Sequence, residues 1–133
     1  MSALGGYWRF QVKNGTGGTG SSTASTIKMQ RWKPDSAGAA DYETEQTAFS
    51  QGSIGSGSYS NGTAYDNDAS NGYGYHGLSA SIKIVNGSSA GNWYVYLQLS
   101  TDGGTSWGDN GTGEPIAVVV CAASATVKTT VNV

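Results

Sequence analysis

The sequence has 133 residues, of which 21 are glycine and only 12% are charged. This length is typical of one domain with a single hydrophobic core, and β-branched and aromatic residues without many helix formers predict an all-β protein. A formal charge of −2 argues against nucleic acid as a partner, and no apolar run reaches membrane-spanning length.

The N-terminal part of the chain predicts three strands. Residues 6–13 alternate large apolar and polar side chains, which is the period of a half-buried strand. Further strands are predicted at residues 26–33 and 41–50. The glycine-rich loop at 14–25 has almost no side-chain volume. It therefore predicts either a flexible hairpin tip or an arm that orders against a neighbouring chain.

A second glycine-rich loop, residues 51–76, is the least regular stretch and contains four tyrosines. A loop this long is uncommon inside a compact domain unless it has a function or a partner orders it. Its mixture of tyrosine with serine, asparagine and glycine is typical of an adaptable contact surface. The alternative is a solvated meander with one short strand.

The C-terminal part predicts four more strands, at residues 77–85, 92–100, 114–123 and 126–133. The run 114–123 is apolar on both faces, which predicts a central strand. Seven or eight strands with turn signals between them favour one antiparallel β-sandwich domain over residues 1–133, jelly-roll-like or immunoglobulin-like. The residues predicted to face its core from this part are Leu78, Ile82, Ile84, Trp93, Val95, Leu97 and Leu99.

The segment Ser100–Trp107, "STDGGTSW", has the spacing S-x-D-x-G-x-[ST]-W. It resembles the Asp-box, a hairpin motif of sialidases and related β-propellers. The resemblance implies a structural turn in which Asp102 accepts backbone hydrogen bonds, Gly104 permits a positive φ, and Trp107 anchors the loop. Sialidases also need three arginines, whereas this chain has two and no internal repeat, so sialidase activity is not expected.

No catalytic, cofactor-binding or metal-binding residues are predicted. His76 is the only histidine and has no nucleophile motif beside it. Cys121 lies in an apolar run, which favours a buried thiol over a nucleophile. Residues 66–72 alternate oxygen ligands as a calcium loop does, but the glycine comes one place late and no closing glutamate follows. A plain turn is therefore predicted there.

Six tyrosines form a candidate contact surface. Two lie on the polar side of the strand at 92–100, and the others lie in the second glycine-rich loop. Their rings could stack on sugars, be buried by another subunit, or pack within the monomer. These residues are Tyr59, Tyr65, Tyr73, Tyr75, Tyr94 and Tyr96.

The whole sequence is rich in glycine, serine, threonine and asparagine and has few charged residues. In this composition and in the hairpin "STDGGTSW" it resembles bacteriophage virion accessory proteins of the capsid decoration (cement) type. The resemblance implies a non-enzymatic homo-oligomer that binds the major capsid or tail protein and stabilises its lattice. The chain start has no features of a secretory signal, which predicts synthesis in the host cytoplasm and a final location in the virion. The first alternative is a carbohydrate- or receptor-binding module that makes a glycan contact. A glycan hydrolase is the second alternative.

Overall fold

The computed structural model describes residues 6–67, 74–108 and 113–133. Within these residues the chain forms two antiparallel sheets that pack face to face, with no helix. The all-β sandwich predicted from the sequence is therefore confirmed. The described segments accordingly contain no helix long and apolar enough to cross a membrane.

Ten strands are present in the described part of the chain. In chain order they are β1 Tyr7–Asn14, β2 Ser25–Pro34, β3 Ala40–Tyr42, β4 Gln46–Gln51, β5 Tyr59–Asn61, β6 Tyr65–Asp66, β7 Gly77–Val85, β8 Gly91–Ser100, β9 Ala117–Cys121 and β10 Thr126–Asn132.

Sheet A has the strand order β5-β1-β8-β9, with β6 also paired to β1, and sheet B has the order β10-β7-β2-β3, with β4 also paired to β2. The alternating pattern of each long strand directs its apolar side chains between the sheets. The largest fully buried side chains lie there, including Trp8, Phe10, Ile27, Met29 and Trp93. Leu78, Ile82 and Ile84 are also buried, as predicted.

The predicted third strand, residues 41–50, is two strands in the structure. The break falls where Glu43 turns inward: its backbone N–H donates to the Arg31 carbonyl at 2.9 Å, and its carboxylate accepts from the Arg31 guanidinium. A buried arginine needs a paired carboxylate, so this ion pair interrupts the strand pattern.

The prediction that residues 114–123 form a central strand was wrong. Among the described strands β9 pairs only with β8 and lies at the end of sheet A. Val119 and Cys121 face the core, whereas Val118 and Val120 face outward and are 49% and 72% exposed. A strand that is apolar on both faces can therefore lie at the edge of a sheet, with one face in the core and the other exposed to solvent.

The core-facing set predicted for β8 holds at Trp93, Val95 and Leu97, which packs against the core, but fails at Leu99 near the strand end. Leu97 is only partly buried and Leu99 is 44% exposed. β9 pairs with β8 over Gly91–Val95, and none of the strands in the described residues flanks the last residues of β8 on that side. On the opposite face Gln98 is fully buried, because Arg9 lies against it.

One end of the sandwich is closed by loops that connect strands of different sheets, residues 15–24, 52–58, 86–90 and 122–125. Asn14, fully buried, joins the first two. Its Nδ2 donates to the carbonyls of Gly18 and Ile54, both at 2.8 Å, and its Oδ1 accepts from the Thr16 N–H and hydroxyl. The loop at 14–25 is thus held by hydrogen bonds within its own chain, and because it connects strands of different sheets it is not the hairpin tip that was one of the two predicted alternatives.

Asn86 has the same role for the other two loops. Its Nδ2 donates to the carbonyls of Ser89 and Ala122, and its Oδ1 accepts from the indole N–H of Trp93 at 3.0 Å. Asn14 and Asn86 each precede a glycine, and both glycines pack closely: a Cβ on Gly87 would lie 2.0 Å from the Thr19 carbonyl oxygen. The Asn-Gly pairs therefore mark tightly packed turns with buried amides.

Asn14→Ala is expected to lower the free energy of unfolding by about 2 kcal/mol, because the buried Thr16 N–H would lose its acceptor and the carbonyls of Gly18 and Ile54 would each lose one of two donors. Urea unfolding measures this change. Asn132→Ala is the matched control, since Asn132 is exposed and accepts from the Ser79 hydroxyl. It should change stability by less than about 0.5 kcal/mol. Equal losses in both variants would contradict the role given to Asn14.

Candidate functional site

The Asp-box-like hairpin follows β8 and is closed by side-chain hydrogen bonds. The Ser106 N–H and the Ser100 hydroxyl donate to Asp102 Oδ1 at 2.8 and 2.7 Å, and the Ser106 hydroxyl donates to Oδ2. The Gly104 N–H donates to the Ser100 hydroxyl oxygen at 2.8 Å. Gly103 and Gly104 have φ of 72° and 88°, a region that favours glycine. These bonds hold the pKa of Asp102 down, from 3.8 to about 2, chiefly through Ser106.

Trp107 places this hairpin against the outer face of sheet A. The Arg9 guanidinium carbon lies 4.3 Å from the Trp107 ring centroid, and Arg9 Nε donates to Gln98 Oε1 at 2.8 Å. Partial burial lowers the pKa of Arg9, and a stacked guanidinium tolerates that burial well. Asp102, Gly104 and Trp107 therefore act together in shaping one surface.

The residues considered for chemistry do not come together. His76 is exposed, with its ring 5.7 Å from that of Trp32. Cys121 is buried, and burial raises the pKa of its thiol. Among the described residues no three His, Cys, Asp or Glu side chains cluster as metal ligands. Most of the calcium-like stretch 66–72 lies outside the described residues.

The six candidate tyrosines do not form one surface. Tyr65 stacks on Trp8 with ring centroids 5.0 Å apart, and the Arg31 guanidinium lies over both Tyr65 and Tyr75, at 5.0 and 4.3 Å. Desolvation raises the pKa of both phenols. These two rings close the end of the sandwich opposite the asparagine loops, so they pack within the monomer. Tyr73 lies outside the described residues.

The other three tyrosines meet on the outer face of sheet A. Lys13 of β1 is paired with Tyr59 of β5 on one side and with Tyr94 of β8 on the other. Tyr96, two positions after Tyr94, lies on the same face of β8. The Lys13 ammonium lies 5.0 Å from the centroid of the Tyr59 ring, whose centroid is 6.4 Å from that of Tyr96. We call Lys13, Tyr59, Tyr94 and Tyr96 the outer tyrosine face.

Exposure differs across the outer tyrosine face. Tyr59 is 42% exposed, Tyr94 is half-buried, and Tyr96 is buried, which raises the pKa of its phenol. A Cβ on Gly15 would lie 2.6 Å from the Tyr94 ring, so glycine is needed for the ring to lie flat against the loop. The face is therefore held in place by the chain itself.

Val118 and Val120 extend the outer tyrosine face toward the edge of sheet A. Val118 is paired with Tyr94, and Val120 with Asn92, so both valines lie on the same side as the tyrosines. The sequence interpretation missed these valines because it assigned their strand to the centre of a sheet. It also missed Lys13, although its place among the polar positions of the first strand was visible.

In comparisons with known proteins, no family model, curated protein or solved structure matches the chain. The interpretation of the candidate site therefore depends on the chemistry of its own residues.

The low pKa of Asp102 predicts how the hairpin responds to acid. A carboxyl group whose pKa is lower in the folded state adds stability above its unfolded pKa and loses it as the pH falls. Wild-type protein should therefore lose the Asp102 contribution between about pH 3.8 and pH 2. Asp102→Asn, which cannot titrate, should show a smaller fall in melting temperature over that range. Parallel curves for the two proteins would disprove the assignment.

Proposed function

We propose that this chain is a non-enzymatic structural protein that binds the outside of a larger protein assembly. More specifically, the chain is proposed to be a decoration (cement) subunit that binds the major capsid or tail protein of a phage virion. The observation that carries the proposal is the exposed Val118 and Val120 on an edge strand, directly beside the outer tyrosine face. Burying such residues against a partner gives a favourable hydrophobic free energy.

The edge itself supports a protein partner. Within the described residues no strand pairs with the outer side of β9, so its backbone N–H and C=O groups can accept an added strand. A long unprotected edge normally invites aggregation, and proteins usually blunt it with charge or proline. The described strand Ala117–Cys121 carries neither. A partner strand paired there would satisfy the backbone, while the valines and tyrosines supply side-chain contacts.

The alternative, a carbohydrate-binding module, is favoured by a different observation. Tyr59 and Tyr94 lie beside Lys13 and Asn61, a mixture of rings and polar groups that suits a glycan. Against this, the Tyr59 and Tyr96 rings are tilted by 45° and Tyr96 is buried, so they form no flat platform for stacking. Two aliphatic valines also offer a sugar nothing to hydrogen-bond. The protein partner is therefore the better supported occupant.

Binding to phage particles tests the proposal directly. Particles assembled without this chain are mixed with increasing amounts of purified protein, and the bound fraction is measured by sedimentation. Saturable binding with a fixed copy number per particle, and a higher temperature of particle disruption, are expected. Val118→Ser combined with Val120→Ser should weaken binding by at least about tenfold, since burying two such side chains is worth more than 1.4 kcal/mol.

Tyr59→Ala and Tyr42→Ala provide a matched pair. Both tyrosines are about half exposed, but Tyr42 lies on β3 of sheet B, away from the outer tyrosine face. Only Tyr59→Ala should weaken binding to the particle. Equal effects of the two variants would reject this face as the contact. Absence of particle binding, with saturable binding of an oligosaccharide that Tyr59→Ala abolishes, would replace the proposal with the glycan-binding module.

A further inference from the structure

The outer face of sheet B has a different chemistry from that of sheet A. Its outward positions on β2, β7 and β10 carry hydroxyl, amide and lysine side chains. Three of the chain's five lysines lie there, Lys28, Lys83 and Lys128. They line one shallow depression of about 340 Å³ together with Thr26 and Ser81.

The strand register brings these groups close together. Lys128 is paired directly with Lys83, which is paired in turn with Thr26, and Lys28 is paired with Ser81 in the adjacent row. Because neighbouring strands are about 4.8 Å apart, the three lysine stems rise from a patch about 10 Å wide. Thr26 and Ser81 each neighbour both Lys28 and Lys83, one along the strand and the other across it.

The charges of this patch are only partly balanced by the described residues. Lys28 is 3.6 Å from Glu45 in an exposed ion pair, and no carboxylate lines the depression. Within the described residues neither Lys83 nor Lys128 has an ion-pair partner. Like charges placed directly opposite each other on neighbouring strands destabilise a sheet. A local concentration of positive charge in a protein with net charge −2 therefore marks this face as a place for an anion.

We infer that Lys28, Lys83 and Lys128, with the hydroxyls of Thr26 and Ser81, form a binding site for a phosphate group. Ammonium groups act as point charges that suit a tetrahedral anion approached from several sides, and hydroxyls donate to its remaining oxygens. Recognition of a carboxylate favours the planar fork of arginine, and no arginine lines this depression.

The surroundings distinguish two sources of the phosphate. The depression adjoins a second one, of about 320 Å³, which Lys28 and Ser81 also line. Its other walls include Gln30, Thr130 and Asn132, whose amides and hydroxyls match the hydroxyl groups of a sugar. Glu45, the ion-pair partner of Lys28, also lines this second depression, where its carboxylate can accept from a sugar hydroxyl but would repel a phosphate, so the phosphate belongs in the first depression. A phosphate ester of a sugar would occupy both depressions, whereas free phosphate would occupy one. This site lies on the opposite face of the sandwich from the outer tyrosine face, so its test does not depend on the proposed partner.

The experiment is an NMR titration of the isotope-labelled full chain at constant ionic strength with inorganic phosphate, glucose 6-phosphate, glucose and chloride. Saturable shifts at residues 26–28, 81–83 and 128 are expected with both phosphates and absent with glucose or chloride. Lys83→Gln and Lys128→Gln should each weaken binding by about tenfold through loss of a charge-assisted hydrogen bond. Lys13→Gln makes the same charge change on the other sheet and should leave the affinity unchanged.

The melting temperature without phosphate is a second readout. Lys83→Gln and Lys128→Gln should melt at or above the wild-type temperature, because each removes a like-charge contact; a large fall would contradict the account. Shifts that do not saturate, or that weaken equally in Lys13→Gln, would overturn the site. Tighter binding of glucose 6-phosphate than of phosphate assigns the ligand as an ester, and equal binding assigns it as free phosphate. Stronger binding of a polyglutamate peptide or a short DNA duplex than of either phosphate would overturn the assignment.

Discussion

The fold depends on how its inter-sheet loops satisfy their backbone polar groups. At one end of the sandwich the chain crosses between the sheets through loops built mainly of glycine, serine, threonine, asparagine and alanine, in which Ile54 is the one large apolar side chain. Backbone groups at such a crossing are shielded from water, and leaving them unpaired is costly. The amides of Asn14 and Asn86 supply the missing partners from fully or nearly fully buried positions. Because Asn86 also binds the Trp93 indole, the same hydrogen bonds hold the loops and one wall of the core.

The two outer faces of the sandwich are not needed to hold the loops, and their side chains differ in chemistry. Sheet A carries aromatic and aliphatic groups, with Trp107 and Arg9 covering one end and Val120 exposed at the other. Sheet B carries lysines and hydroxyls. The two faces are separated by a core about 10 Å thick, so a partner on one leaves the other accessible.

Much of the candidate surface was visible in the pattern of residues 92–100, because period-two alternation assigns neighbouring side chains to opposite faces. That pattern placed Tyr94 and Tyr96 opposite Trp93 and Val95, which the pairing with β1 bears out. It could not show that Tyr96 is buried, since its cover comes from Tyr59 more than thirty positions earlier. It could not separate Tyr65 and Tyr75 from the other tyrosines either, because their place is set by Arg31 on another strand.

The sequence by itself determined the class of fold, the main core-facing positions and the turn at Asp102, since composition, period-two alternation and turn residues are local features that can be read along the chain. Tertiary structure alone decided that β9 lies at an edge, that Leu99 is exposed, and that Lys83 stands opposite Lys128. These features depend on which strands become neighbours. Strand neighbours are chosen by long-range packing and hydrogen bonding between segments far apart in sequence, and local periodicity carries no information about them.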